Sequence, residues 1–179
     1  MNRSLVFLPL VILVAFTLGC QDQQALAELE GMKAQAEVEE QNKEIGRQFF
    51  VAIDQNDFDR LSDLLDPGFA VHVPGLAEAL GKEAVFQAIS THYASFPDWR
   101  HVIDDVVAEG NKISIRLTQY GTHTAEFYGI PATGNEIEVA AMHLATIVDG
   151  KVKDWWVMED YLGQYQQLGM ELRPAAVEE

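Results

Sequence analysis

Cysteine is almost absent from this chain of 179 residues, which contains only Cys20. A single cysteine cannot form an intramolecular disulfide, so a domain that follows it must be stable without one. The same domain has no thiolate that could serve as a nucleophile. Its stability and any chemistry must therefore come from other residue types.

Positive charge is the second shortage. Lysine and arginine number 12, against 28 aspartate and glutamate residues, which gives a formal net charge of −16 at pH 7. Such a surface repels the phosphates of nucleic acids and of anionic lipid headgroups. We therefore expect no RNA or DNA partner, and attachment to a membrane should depend on acyl chains.

A comfortable membrane span is also missing. The apolar run at residues 5–18 follows a basic residue and is too short to span, which is the pattern of a secretory signal peptide. It ends in Phe-Thr-Leu-Gly-Cys at residues 16–20, which resembles a bacterial lipobox. We therefore predict a signal peptide at residues 1–19 and lipidation of Cys20; an ordinary cleaved signal or a short anchor is the alternative.

Lipidation of Cys20 would place the protein in the cell envelope as a lipid-anchored protein. Gln21, rather than Asp, follows the cysteine, which in a Gram-negative host resembles sorting to the periplasmic face of the outer membrane. Residues 20–43 are polar and rich in Gln, Glu and Ala, so we expect a marginal helix that acts as a spacer, or a short coiled-coil seam. Residues 171–179 form an acidic tail.

Residues 44–170 have the pattern of a folded domain. Apolar residues at helical spacing predict three helices, at residues 45–53, 57–65 and 81–95. One strand is predicted at residues 69–73, and a four-stranded meander follows at residues 101–108, 112–123, 136–148 and 151–160. This order predicts an α+β fold, in which three N-terminal helices pack on one face of a curved antiparallel sheet and enclose a pocket.

Strand parity predicts which side chains point into that pocket, because alternate residues of a strand face opposite sides of the sheet. The inward residues predicted in this way are His72, Gln119, His123, His143, Trp156, Met158 and Asp160. The pattern that supports the inward assignment of His72 is weaker, because both faces of its strand are apolar. Tyr93 of the third helix and Phe127 of the loop at residues 121–134 should complete the lining.

A mostly apolar cavity with a few polar groups is typical of a small-molecule site. Histidines can carry protons at neutral pH, and Asp160 could orient one imidazole and stabilise its charged form. Structural alternatives exist, since His123 could fix the loop that follows it, Asp160 could cap a short helix, and Trp156 could belong to the core. Histidines that point inward are also often hydrogen-bonded core residues. The spacing contains no metal motif, so no metal site is predicted.

Several short blocks within residues 44–169 resemble one family. They are Phe-Pro-Asp at 96–98, Gly-Thr-His-Thr-Ala-Glu-Phe-Tyr-Gly-Ile-Pro-Ala-Thr-Gly at 121–134, Asp-Gly-Lys-Val at 149–152, Trp-x-x-x-Asp at 156–160 and Gln-Gln-Leu-Gly at 166–169. Together they resemble the SnoaL-like polyketide cyclase or ester cyclase family of the NTF2-like superfamily. The resemblance implies a cone-shaped pocket in which an acidic residue deprotonates a carbon next to a carbonyl, and the substrate then closes a ring by aldol addition. It implies neither cofactor nor metal.

The chain departs from the family at residues 142–143, where Met-His replaces an Ile-Asp pair and puts His143 at the acid/base position. A neutral imidazole can act as a base. One hypothesis is therefore a cofactor-independent cyclase or isomerase with His143 as its base. In it, His123 or His72 stabilises the enolate, and Asp160 orients an imidazole.

Two hypotheses involve no catalysis. In the first, a lipid-anchored binding module holds a small apolar molecule unchanged. In the second, a structural envelope lipoprotein uses its spacer helix as an interaction arm. The superfamily resemblance also suggests a homodimer through the open face of the sheet, where Trp155 and Val157 have outward parity.

Overall fold

The computed structural model describes residues 7–171 and residue 173, with side chains from residue 23 onward. Its helices are α1 Phe7–Asp54, α2 Phe58–Leu64, α3 Lys82–Ser95 and α4 Tyr161–Gln167, and its strands are β1 Leu65–His72, β2 Arg100–Glu109, β3 Lys112–Thr122, β4 Glu136–Val148 and β5 Lys151–Glu159. The start of the predicted signal peptide, the side chain of Cys20 and most of the predicted acidic tail lie outside the described residues. Among the residues that are described, no helix combines the length and the apolar character that a membrane crossing needs.

The chain divides into two compact units, Met1–Val38 and Glu39–Glu179. The described residues of the first unit belong to α1, so the predicted spacer is helical. The second unit contains the end of α1 from Glu39 to Asp54, the five strands described above, helices α2 to α4 and the hydrophobic core. A unit with its own sheet and core is expected to fold independently.

The sheet has the strand order β1-β5-β4-β3-β2. Strands β2 to β5 form the predicted antiparallel meander, but β1 pairs with β5 in parallel. The sheet is therefore mixed rather than wholly antiparallel. Strand β1 follows α2, lies at one edge of the sheet and runs in the same direction as β5. With its helices packed on this sheet, the domain has an α+β fold, as the sequence predicted.

Local sequence explains where several elements begin and end. Asp57 caps α2, since its carboxylate accepts a hydrogen bond from the backbone N–H of Arg60 at 2.9 Å. Asp149 and Gly150 both have positive φ, of 49° and 75°, which gives the tight hairpin predicted between β4 and β5. In α1, a Cβ at Gly46 would lie 2.5 Å from Cδ1 of Ile113, so glycine allows the close approach of α1 to β3.

A β-bulge in β5 reverses the side-chain parity of that strand. Thr146 of β4 pairs with Asp154 and the next residue, Ile147, pairs with Val152, so Lys153 is an extra residue on β5. Each residue after the bulge therefore faces the side opposite to the one that simple alternation predicts. The inward residues are Trp155, Val157 and Glu159, and the outward ones are Trp156 and Met158.

The predictions for four residues of β5 were wrong for this reason. Trp155, expected to be exposed, is buried and stacks on Phe49 of α1 with ring centroids 4.1 Å apart. Val157, expected at a subunit interface, lines an internal cavity. Met158 is 59% exposed on the outer face, and Trp156 stacks there on His72.

Candidate active site

A cavity of about 310 Å³ lies between the helices and the inner face of the sheet, and we call it the chamber. Its apolar wall is formed by Phe49, Phe50, Ile53, Phe69, Val71, Val73, Leu76, Leu80, Ala84, Val85, Ala88, Ile89, Trp99, Phe127, Trp155 and Val157. Its polar groups belong to His92, His101, Tyr128, His143, Glu159, Tyr161, Gln164 and Tyr165. An apolar wall with a few polar side chains suits a small, largely apolar ligand.

Asp54 and His101 form a hydrogen-bonded pair at the wall of the chamber. His101 Nδ1 lies 2.6 Å from Asp54 Oδ1, and the backbone N–H of His101 donates to Oδ2 at 3.2 Å. The imidazole side chain is only 2% exposed. A carboxylate can only accept, so Nδ1 carries the proton, and the lone pair of the neutral ring is on Nε2. A neutral ring held in this way can take a proton at Nε2 while Asp54 stabilises the resulting charge.

Sequence reasoning missed both members of this pair. Asp54 is the last residue of α1, where the sequence predicted the end of a helix. His101 is the second residue of β2, whose alternation is interrupted by a register shift between Ile103 and Asp105. They are 47 residues apart in the chain. The available signal was a histidine three residues after the Phe-Pro-Asp block, at the start of the predicted strand.

His143 lies in the chamber as predicted, but its hydrogen bonds point to a different role. It is 5% exposed, and its Nδ1 accepts a hydrogen bond from Trp155 Nε1–H at 2.8 Å. The proton of the neutral ring is therefore on Nε2, which has no hydrogen-bond partner among the described residues. Burial lowers the pKa of His143 to about 3, and a protonated His101 contributes a smaller effect in the same direction. The ring thus presents a donor at neutral pH, whereas the predicted base would need a free lone pair.

Glu159 is the acidic group of the chamber, and sequence parity had placed it outward. Its Oε1 lies 3.9 Å from His143 Nε2. Burial raises the pKa of Glu159, while Gln119, Tyr161 and, when it is protonated, His101 act in the opposite direction. A buried carboxyl with a raised pKa can keep a proton and donate it.

Gln119, predicted as a ligand-binding residue, supports Glu159 instead of lining the chamber. Trp99 Nε1–H donates to Gln119 Oε1 at 3.1 Å, which fixes the orientation of the amide. The amide N–H₂ group then faces Glu159 and lowers the pKa of its carboxyl. Gln119 is therefore a positioning residue for the carboxyl.

His92 is a third chamber histidine that the sequence did not single out. Its Nδ1 lies 2.9 Å from the carbonyl oxygen of Ala88, so Nδ1 carries the proton. Burial lowers the pKa of His92, and its ring stacks on Trp99. Within the described part of the chain, no group of three or more His, Cys, Asp or Glu side chains is arranged to hold a metal ion.

Of the other predicted site residues, Phe127 lines the chamber and the rest do not. His123 is fully buried behind Phe96, and its Nδ1 contacts the hydroxyl of Thr133 at 3.1 Å. It thus holds the loop that follows it, which was the structural alternative. Asp160 is the exposed cap of α4 and accepts from the backbone N–H of Gly163 at 2.8 Å.

His72 and Tyr93 are also outside the chamber lining. His72 is on the outer face of β1, 3.6 Å from Asp154, because Val71 and Phe69 take the inner face. The hydroxyl of Tyr93 donates to the carbonyl oxygen of Ile53 at 2.9 Å, and burial raises its pKa to about 12. Tyr93 therefore ties α3 to α1.

The low pKa of His143 should make the free energy of unfolding depend on pH. An unfolded imidazole binds a proton near pH 6.5, whereas the folded ring remains neutral down to about pH 3. The unfolded state therefore binds more protons in this interval, and stability is lost as the pH falls. We expect a loss of about 2 kcal/mol between pH 7 and pH 5.

Urea unfolding at the two pH values measures this loss. The variant His143→Gln cannot titrate and should lose about 2 kcal/mol less than the wild type over the same interval. An equal loss in both proteins would contradict the buried, neutral state of His143.

Similarity to known proteins extends over most of the folded domain. The family model described as SnoaL-like polyketide cyclase matches residues 44–168. The chain is 36% identical over 111 residues to the aklanonic acid methyl ester cyclase DauD of Streptomyces sp. strain C5, and the alignment covers 61% of this chain and 66% of DauD, just under two thirds. Identity to the aklanonic acid methyl ester cyclase DnrD of Streptomyces peucetius is 36% over 109 residues, covering 60% and 72% of the two chains. Wild-type IdmH of Streptomyces antibioticus superimposes with a TM-score of 0.67 at 25% identity, covering 72% of this chain and 99% of IdmH.

Proposed function

The chain belongs to the SnoaL-like polyketide cyclase family, and we propose that its chamber catalyses a cofactor-free proton transfer that leads to intramolecular ring closure. The observation that carries the proposal is the Asp54–His101 pair at the wall of an apolar chamber that also holds the unpartnered Nε2–H of His143. A base and an electrophilic donor in one apolar cavity are the groups that enolate chemistry needs.

In the proposed reaction, Nε2 of His101 removes a proton from a carbon next to a carbonyl group. Asp54 stabilises the imidazolium that forms. The carbonyl oxygen gains negative charge as the enolate forms, and it accepts a hydrogen bond from the Nε2–H of His143. In other enzymes, a neutral imidazole whose pKa is lowered by its surroundings polarises a carbonyl group. The neutral ring of His143 acts in the same way in the proposed reaction.

The enolate carbon then attacks a second carbonyl carbon of the same molecule, which forms the new carbon–carbon bond. The alkoxide oxygen that results takes the proton of Glu159, and the imidazolium of His101 returns a proton to the carboxylate. The substrate therefore changes its connectivity but not its composition. The raised pKa of Glu159 supports this step, because the carboxyl must be protonated before it can donate.

The name of two relatives supplies a test substrate, aklanonic acid methyl ester. We expect the chain from Gln21 to convert this ester, or a smaller diketone ester, to a ring-closed product of equal mass. In deuterated water, unreacted substrate should also gain deuterium at the acidic carbon, as mass spectrometry would show. Substrate that binds but neither cyclises nor exchanges would overturn the catalytic proposal.

The extent of the apolar wall favours a second candidate, a binding module that holds an apolar molecule unchanged. Native mass spectrometry of protein from its own host, followed by analysis of the released compound, separates the two. A retained, unaltered ligand that the protein never transforms would favour the binding module.

We also propose that the protein is a lipoprotein of the cell envelope, on the strength of residues 16–20. Replacing Cys20 by Ser removes the thiol that carries the acyl chains. We expect the wild type in the membrane fraction, with the mass of an acylated N-terminal cysteine. The variant should keep its uncleaved signal and lack the acyl mass; wild-type protein without acyl groups would refute lipidation.

A homodimer through the outer face of the sheet is a further proposal, with different residues from those the sequence predicted. Met142 lies opposite Met158, and Leu144 lies opposite Trp156, so two apolar cross-strand pairs are adjacent on that face. Three of these side chains are exposed, which favours an apolar partner surface such as a second copy. Sedimentation velocity tests it, and a monomer at micromolar concentration would reject it.

A further inference from the structure

Tyr128 has a backbone conformation that its side chain disfavours. Its φ is 48°, in the left-handed region. The other non-glycine residues with positive φ in the described part of the chain are Asn56 and Asp149, two types that tolerate this region. A bulky aromatic residue there is unusual, and such outliers concentrate at functional positions.

The turn around Tyr128 does not itself require tyrosine. Phe127 and Ile130 exchange two backbone hydrogen bonds, of 3.0 and 2.9 Å, and thereby close a two-residue turn. Both central residues, Tyr128 and Gly129, have positive φ, which is the type of turn that Asn-Gly or Asp-Gly forms with least strain. The geometry of the turn therefore does not explain why this residue is a tyrosine.

The position of the ring supplies that reason. Tyr128 is 63% exposed and yet lines the chamber, so it lies where the chamber meets solvent. Its ring packs edge-on against buried Phe127, with centroids 4.6 Å apart. From α4, Tyr161 and Tyr165 also line the chamber.

We propose that Tyr128 is a specificity-determining residue whose ring covers the mouth of the chamber and stacks on the outer part of a flat, uncharged aromatic ligand. The inference rests on the proposed function only in that the chamber binds a ligand, and it does not depend on catalysis. The strained backbone holds the ring over the mouth, which a residue of relaxed conformation in the same turn would not do.

The test uses the neutral fluorophore N-phenyl-1-naphthylamine and the chain from Gln21, with dissociation followed by stopped-flow fluorescence. Tyr128→Asn removes the ring but suits the turn, so its melting temperature should equal or exceed that of the wild type. Loss of the stacking contact should raise the dissociation rate about tenfold. Tyr128→Phe keeps the ring and should remain within about twofold of the wild-type rate.

Asp149→Asn is the matched control, because it changes a side chain at the same φ in a hairpin outside the chamber lining. It should leave the dissociation rate unchanged. An unchanged rate in Tyr128→Asn, a lowered melting temperature in that variant, or no binding of the fluorophore by the wild type would each overturn the inference. Because the fluorophore undergoes no reaction, failure of the catalytic proposal alone would leave these results as expected.

Discussion

Replacing Asp54 by Asn is expected to lower kcat/KM for ring closure by about 10²- to 10⁴-fold. The carboxylate of Asp54 accepts from His101 Nδ1–H at 2.6 Å and compensates the charge of the imidazolium. An amide has no charge to offer, and its N–H₂ group can reverse the tautomer so that Nε2 no longer has a free lone pair. Initial rates of cyclisation and of deuterium incorporation measure the effect.

Asp160→Asn provides the matched control for this experiment. Asp160 is also an aspartate that accepts a backbone hydrogen bond, but it caps α4 and does not line the chamber. Asn is an equally good cap, so both stability and kcat/KM should stay near wild-type values. A wild-type rate in Asp54→Asn would place the base elsewhere, and a large loss in Asp160→Asn would restore the role that the sequence suggested for that residue.

Replacing Trp155 by Ala is expected to reduce the free energy of unfolding by about 3–5 kcal/mol. The indole is buried, stacks on Phe49 and packs edge-on against Phe50. Its loss would leave a large cavity and would also leave His143 Nδ1 without its donor. Since small domains have a total stability of about 5–15 kcal/mol, this single change should remove a large share of it. Urea denaturation, with the slope checked for constancy, measures the change.

Trp156→Ala is the matched control for this prediction. Trp156 is the next residue in the chain but lies half-buried on the outer face, where it contacts His72 and Lys112. We expect this variant to lose less than half as much stability as Trp155→Ala. The reverse order would mean that the bulge at Lys153 is absent and that simple alternation holds along β5.

Trp155→Phe separates packing from hydrogen bonding. Phenylalanine retains much of the stacking on Phe49 but cannot donate to His143. The buried acceptor left behind should cost about 1–3 kcal/mol, and the ring of His143 is then free to change its tautomer. A fall in activity that exceeds the loss of folded protein would link the indole N–H to the chemistry.

Features of this protein that depend on neighbouring residues could be predicted from the sequence. Periodicity and capping gave the helices after residue 44, and the Asp149–Gly150 turn gave the last hairpin, because such features form within a few residues of chain. The sequence blocks also indicated the family and the presence of a chamber. His143 and Phe127 were placed there correctly.

The identity of the groups that meet in the chamber depends on the packing of distant elements. One extra residue, Lys153, reversed the faces of β5 and so brought Glu159 and Trp155 inward, which no alternating pattern could show. Asp54 and His101 form their pair across 47 residues, where the last residue of α1 meets the start of β2. Contacts of this kind depend on how elements pack in three dimensions. The residues next to a side chain in the sequence therefore do not predict them.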